Sequence, residues 1–478
     1  MVGHEHACGG GGRLLPVIAA EKLHRGARGP TSGGSGSEPC CLEQTKPMIG
    51  NSGVPAARSE EKLQRSVCRL CEAPLATTFV DLGMSPLCES FLTVEQLDQM
   101  EPYFPLRVLA CERCYLVQLQ AYVRPESIFT EYAYFSSYAT SWVEHARRYC
   151  LMIRDRLGLG SNSQIFEIAS NDGYLLQHFL PLEIPVMGIE PARNVAAAAV
   201  QKGVPTLVEF FGLDLAKRLA ADGRSADLII GNNVLAQVPD LNDFTAGMAH
   251  LLASDGVITL EFPHLERLIE GNQFDTIYHE HFSYFSLVTV DLLARRHGLR
   301  IFDVEQLTTH GGSLRVYLTR EGSRHRTTPA VAELLTHEQD IGFRDIGTYT
   351  KFAPKVHNAK RKLLSLLIEL KERGKTVCAY GAPGKGNTLL NYCGIGTDFL
   401  DFAVDRNPYK HGRFTPGMHV PIRPVSALDA ARPDYLLILP WNLKREIAVQ
   451  LRYTRDWGCK LIIPIPEVHV IDPREVEP

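Results

Sequence analysis

The chain has 478 residues, 45% of them hydrophobic and 22% charged, with a formal net charge of −4. That length implies more than one core, and the slightly acidic balance argues against a nucleic-acid polyanion as the main partner. No apolar run reaches the roughly 18 residues of a bilayer span, and Met1–Gly12 lacks a basic region followed by an apolar one, so neither a membrane partner nor a secretory signal is expected.

Twelve cysteines in so long a chain do not make a disulfide scaffold, and a reduced, cytoplasmic protein is expected. Residues 1–60 are rich in Gly, Ser and Pro with no sustained period, and are expected to be a disordered tail. Residues 66–125 have a different character. Cys68-Arg-Leu-Cys71 and Cys111-Glu-Arg-Cys114 are two knuckles about forty residues apart. Two thiolates three positions apart at a tight turn can face one ion, and two such turns make an all-sulfur tetrahedron suited to structural Zn²⁺. A strand-rich insert, including Phe79–Gly83, is expected between them, and Cys88 is read as a spare thiol.

An aromatic run, Tyr132 to Tyr138, and a basic helix lead into residues 126–325. Gln164 to Glu190 then reads as strand, small polar turn (Ala169–Gly173), an amphipathic helix from near Tyr174, and a second strand ending in an acid. In such a unit the turn lets a ligand approach the backbone, and the distal acid can hold ribose hydroxyls. Further strands at Asp227 and at Val257–Pro263 alternate with helices, which predicts a doubly wound, mostly parallel sheet. Its strand ends bring Ala169–Gly173, Glu190, Asn232, Asn233 and Glu261 to one crevice.

Next comes Tyr278-His-Glu-His-Phe-Ser-Tyr-Phe-Ser286. His279 and His281 resemble a metal pair but have no third ligand nearby; a histidine beside Glu and Tyr fits a general base with an orienting acid, against a hydrogen-bonded core histidine as the bland alternative. Residues 326–478 carry a long helix, Lys355 to Arg373, and restart the α/β pattern. Strand Thr376–Tyr380, the turn Gly381-Ala-Pro-Gly384-Lys385-Gly-Asn387, a helix, and strand Phe399–Val404 with Asp405 make a second Rossmann-like unit. The turn is not a P-loop, yet it can hold a diphosphate through backbone N–H groups and Lys385, or serve as a structural turn only.

The spelling Glu167-x-x-x-Asn171-x-Gly173 with Glu190 resembles motif I of class I S-adenosylmethionine-dependent methyltransferases. Together with the Cys-x-x-Cys pairs, the Tyr278–Ser286 stretch and the Gly381–Asn387 turn, residues 66 to 470 resemble the nucleotide-sugar C-methyltransferases, which act on keto-deoxysugars attached to dTDP. The resemblance implies S-adenosylmethionine at Glu167, Ala169, Asn171, Gly173, Glu190, Asn232 and Asn233, and a sugar nucleotide at Gly384, Lys385, Asn387 and Asp405. It implies His281 as the base beside the sugar ketone, with Glu280, Tyr278 and Tyr132 around it, and structural zinc on Cys68, Cys71, Cys111 and Cys114. A small-molecule substrate is the expected partner, with monomer or homodimer left open.

Two positions depart from the family pattern. Ala169 stands where a glycine is usual, and Gln237 where a histidine is typical, so an acid–base role at 237 is absent. The rival readings are an O- or N-methyltransferase of another small molecule, and a binding protein that kept the fold. Neither explains a base placed beside a ketone.

Overall fold

The computed structural model describes residues 67–124 and 135–473, all within one compact unit; the expected tail 1–60 and Tyr132 lie outside the described residues. Strands β1 (Thr77–Ser85), β2 (Phe104–Ala110) and β3 (Val117–Leu119) form an antiparallel meander between and beyond the two cysteine knuckles. Its fourth strand comes from far along the chain and is described below.

The central sheet is built from β4 (Ile165–Ile168), β5 (Val186–Ile189), β6 (Thr206–Leu207), β7 (Ala226–Asn232) and β8 (Leu252–Pro263). Strands β4, β5 and β7 are buried on both faces, the pattern of parallel strands covered by helices, and the five strands pair in parallel. The two-residue β9 (Ser283–Tyr284) leaves this region and joins the meander, pairing Val117 with Tyr284 and Gln118 with Ser283. Strands β10 (Leu299–Leu307) and β11 (Ser313–Arg320) return antiparallel, giving the order β10-β11-β8-β7-β4-β5-β6.

The third sheet holds β12 (Val377–Tyr380), β13 (Ala403–Asp405), β14 (Ile422–Pro424), β15 (Tyr435–Ile438), β16 (Lys460–Ile463) and β17 (His469–Ile471). Its order is β14-β13-β12-β15-β16-β17, parallel except for the last pair. The doubly wound core, the preceding cysteine module and the second Rossmann-like sheet are therefore all present.

The first and third sheets share one apolar core. Phe79 of β1 stacks on Phe352 at 4.5 Å, and Phe352 opens the helix Phe352–Glu372. That helix buries Phe352, Val356, Ala359, Leu363, Leu367 and Leu370, a spacing of three and four that keeps one face inward. Gly374, at φ 67°, follows its end in the left-handed conformation that commonly closes a helix. Among the described residues no helix is long and apolar enough to cross a membrane.

Two local expectations fail. The helix expected from Tyr174 is instead a pair of 3₁₀ turns, Leu176–His178 and Leu180–Leu182. Pro181 has no N–H to give an α-helical ladder, and Glu183 turns left-handed at φ 56° directly afterwards. The strand expected from Phe399 starts only at Ala403, because the Phe399 and Leu400 N–H groups close a turn onto the Gly396 carbonyl.

Candidate active site

At the carboxyl ends of β4 and β7 the backbone is bent into left-handed conformations, with Ala169 at φ 56°, Asn171 at 50°, Gly173 at 74° and Asn233 at 56°. A Cβ on Gly173 would lie 3.0 Å from Val204 and 3.2 Å from Ala199, so glycine there also allows close packing. Glu190 accepts from the Asn171 N–H at 3.0 Å and the Ala192 N–H at 2.9 Å, pinning the turn to the end of β5. Ser136 donates its N–H to Asn171 Oδ1 at 2.9 Å, which lays the lead-in segment over the same turn.

Buried polar atoms around this turn lack partners: both side-chain polar atoms of Asn232, Oδ1 of Asn233, Ser170 Oγ and Glu167 Oε2. Burial, then the neighbouring Glu190 and Asp172, pushes the Glu167 carboxyl well above the usual range. Buried polar groups are normally satisfied, so these orphans fit a polar ligand with donors and acceptors, as S-adenosylmethionine has.

In the cysteine module the four sulfurs lie within 4.8 Å of one another, with Cys68–Cys114 at 3.4 Å and Cys71–Cys111 at 3.5 Å. A zinc–sulfur bond of about 2.3 Å in a tetrahedron calls for sulfur separations only slightly longer. Gln118 Nε2 donates to Cys68 Sγ at 3.2 Å and the Arg113 N–H to Cys111 Sγ at 3.4 Å, as suits thiolates.

The Tyr278–His281 segment follows the 3₁₀ turn Phe274–Thr276. Nδ1 of His281 meets the Thr276 carbonyl at 3.0 Å; a carbonyl only accepts, so Nδ1 carries the proton and Nε2 keeps its lone pair. Burial holds the His281 pKa down to about 4, so the ring is neutral near pH 7. The Tyr278 ring lies 4.1 Å from it. Glu280 is 6% exposed, and the Cys88 thiol points at its Oε1 from 3.8 Å. His279 instead donates to the Pro105 carbonyl at 3.2 Å and meets Phe104 edge-on, so the two histidines serve different elements and do not share an ion.

The C-terminal turn sits against these groups, and its residues have internal partners. Asn387 Nδ2 donates to the Cys88 carbonyl at 2.6 Å, and Asp405 accepts the Ala382 and Asn407 N–H groups at 2.7 and 2.8 Å. A Cβ on Gly384 would fall 2.8 Å from Glu89 Oε1 and 2.9 Å from Cys88 Sγ. Lys385 donates to Asn442 Oδ1 and lies 5.0 Å over the Trp441 ring. Cys88 lies outside the four-cysteine cluster, as expected of a spare thiol, but it is packed: the loop Pro86–Phe91 wedges between the Tyr278–His281 segment and the turn. Burial raises the Glu89 pKa, opposed by Lys410, whose Nζ is 3.6 Å away. Cys88, Glu89, Asp275 and His310 were missed from sequence. Only the proximity of Cys88-Glu89 to the knuckles, and of His310 to Gly311-Gly312, gave any signal.

A doubly wound sheet with orphaned polar groups at its strand ends, joined to a four-cysteine module, defines a class I S-adenosylmethionine-dependent methyltransferase carrying zinc. Three family models match the chain in order: "Putative zinc binding domain" over residues 68–129, "Methyltransferase domain" over 142–304, and "C-methyltransferase C-terminal domain" over 308–466. C-methyltransferase NovU of Streptomyces niveus is 36% identical over 404 residues, 84% of this chain and 96% of that protein. The chain belongs to this C-methyltransferase family and is an S-adenosylmethionine-dependent C-methyltransferase.

Among solved structures, magnesium protoporphyrin IX methyltransferase of Synechocystis PCC 6803 with bound SAM is 16% identical, with a TM-score of 0.28, over 37% of this chain and 78% of that one. An S-adenosylmethionine-dependent methyltransferase of Clostridium acetobutylicum ATCC 824 is 11% identical, with a TM-score of 0.31, over 38% and 92%.

Proposed function

We propose that the methyl acceptor is the carbon beside the ketone of a keto-deoxysugar carried on a nucleotide diphosphate, with dTDP the nucleotide that the sequence resemblance implies. His281 carries this reading: a neutral imidazole with its Nδ1 proton tied to Thr276, beside Tyr278 and Glu280. A carbon next to a carbonyl becomes nucleophilic only as an enolate, so a base and oxyanion donors have to meet there.

In this reading His281 Nε2 takes the α-proton, and the electron pair of the broken C–H bond moves into the enolate. Tyr278 faces the enolate oxygen, a role the sequence resemblance also implies for Tyr132, and Glu280 favours the imidazolium as it forms. S-adenosylmethionine, held at Glu167 and the Ala169–Gly173 turn, at Glu190, and at Asn232 and Asn233, supplies a sulfonium methyl that a carbon nucleophile can take. Lys385 provides positive charge for the diphosphate, leaving Asn442 to do so. Gly384 and Asn387 shape the turn while holding Cys88 and Glu89, and Asp405 keeps lone pairs for the nucleotide. Residues 66–125 act as a structural zinc module, 126–325 hold the cofactor and 326–478 the sugar nucleotide.

The test is proton exchange. The protein is incubated in D₂O with a dTDP-4-keto-6-deoxysugar and no methyl donor, and the α-proton is followed by NMR beside His281→Ala. Exchange by the parent and not by the variant is expected. A parent that binds S-adenosylmethionine but exchanges no keto-sugar proton overturns the reading.

A further inference from the structure

His310 lies in the turn Thr309–Gly311 between β10 and β11, with its backbone left-handed at φ 53° and ψ 22°. A β-carbon resists that region, and such strain persists only where the surroundings over-determine it. Here they do. Gln273 Nε2 donates to the Gly311 carbonyl at 2.9 Å, and the Thr309 hydroxyl donates to Glu261 at 3.0 Å. A Cβ on Gly312 would fall 2.5 Å from Arg267.

The same Gln273 accepts, at its own carbonyl, the Thr276 N–H at 3.1 Å and the Thr276 hydroxyl at 2.7 Å. Thr276 in turn holds His281. The turns that carry the two imidazoles are therefore both fastened to one short stretch, Gln273–Thr276.

The His310 ring meets Trp142 edge-on at 4.9 Å, and the residue is otherwise exposed. Among the described residues, no hydrogen bond reaches either of its ring nitrogens. Despite that exposure, the neighbouring protein atoms lower its pKa below the ordinary histidine value, with Glu261 opposing and Lys385 and His145 adding to the shift. It is a neutral imidazole with an N–H to give, on a turn that Gln273 fastens to the one holding His281. A space-filling ring would need neither the strained backbone nor the fastening to the His281 turn. Neutral imidazoles can polarise carbonyl groups.

We propose that His310 is a further catalytic residue, donating its ring N–H to the sugar ketone oxygen as it becomes an enolate while His281 takes the α-proton. This rests on the keto-sugar reading above. No proton leaves His310 in the step: the C–H electron pair goes to the enolate, the proton to His281 Nε2, and His310 contributes a hydrogen bond.

The test uses His310→Gly and His310→Asn in the full chain, since both residues accept a left-handed backbone and the turn is kept. α-Proton exchange in D₂O, the kcat and KM of methyl transfer, and the Kd for S-adenosylmethionine are measured for each. The glycine variant is expected to slow exchange and kcat on the order of 10²-fold, with the cofactor Kd unchanged, and asparagine to recover part of that loss through its amide. A glycine variant that exchanges at the parent rate, or an asparagine variant no better than glycine, overturns the role of His310 while leaving the keto-sugar reading in place. A parent that exchanges nothing takes down that reading and this role with it.

Discussion

Trp441 donates its indole N–H to Asp275 at 2.6 Å, one residue before the carbonyl that orients His281. The C-terminal domain thus grips the turn Phe274–Thr276 through a buried carboxylate whose other oxygen has no partner among the described residues. Burial pushes the Asp275 pKa up to about 6, although Lys385 and Trp441 oppose it. The folded chain therefore binds this proton more tightly than the unfolded one. The stability that Asp275 contributes is complete below its unfolded pKa near 4 and is lost as pH rises through 6. Asp275→Asn should gain on the parent between pH 4.5 and 7 by roughly 2 kcal/mol. Urea midpoints of both proteins at the two pH values check this, and a difference independent of pH counts against it.

His281 predicts a second pH effect, in rate. Burial holds its pKa down to about 4, with the Thr276 carbonyl opposing and His310 adding to the shift. The free base is then present from neutral pH down to about 5, and α-proton exchange should fall only as pH approaches 4. The observable is the acid limb of the exchange rate in D₂O buffers. A limb near the ordinary histidine value of about 6.5 would mean that the ring titrates in water, outside the desolvated crevice.

The zinc module reaches the chemistry through β9, whose pairing with β3 ties the residues after His281 to the meander. Loss of metal should loosen the knuckle end of that meander, because four thiolates held so close repel without an ion, while the strands keep the core they share with the third sheet. Cys111→Ser is expected to lose bound zinc by elemental analysis, lower the thermal midpoint and abolish methyl transfer. Binding of S-adenosylmethionine should suffer less than kcat, since the Ala169–Gly173 turn stands on the other sheet. A chelated protein with full activity would remove the module from this role.

Much of this arrangement could be read from the chain, and the rest could not for a physical reason. Strand ends, knuckles and the long amphipathic helix leave local signatures: a period, a cysteine spacing, a glycine. The pairing of Ser283 with Gln118, the bond from Asn387 to Cys88 and the grip of Trp441 on Asp275 join residues more than 150 positions apart. Contacts so distant leave no periodic trace. Cys88 looked idle because its partners come from residues 280 and 387. His310 was passed over because its strain is visible only in φ and ψ. The false helix at Tyr174 was legible after all: Pro181 and Pro185 stand within the window where the ladder would have to run.

Ala169 offers the last prediction. At φ 56° its β-carbon strains the backbone at the position where the family pattern has a glycine. A non-glycine residue in this region costs roughly 1–2 kcal/mol, whereas glycine gives back about 0.5–1 kcal/mol as extra freedom in the unfolded chain. Asn171 and Asn233, also left-handed, are of the residue type that tolerates this conformation best. Ala169→Gly should therefore stabilise the protein by about 0.5–1 kcal/mol, read as a higher urea midpoint with an unchanged slope. Its affinity for S-adenosylmethionine should stay level or rise, because the turn keeps its shape and loses only a methyl. A lower midpoint would mean that the methyl's packing against the neighbouring core outweighs the strain, and that alanine here is a compensated choice.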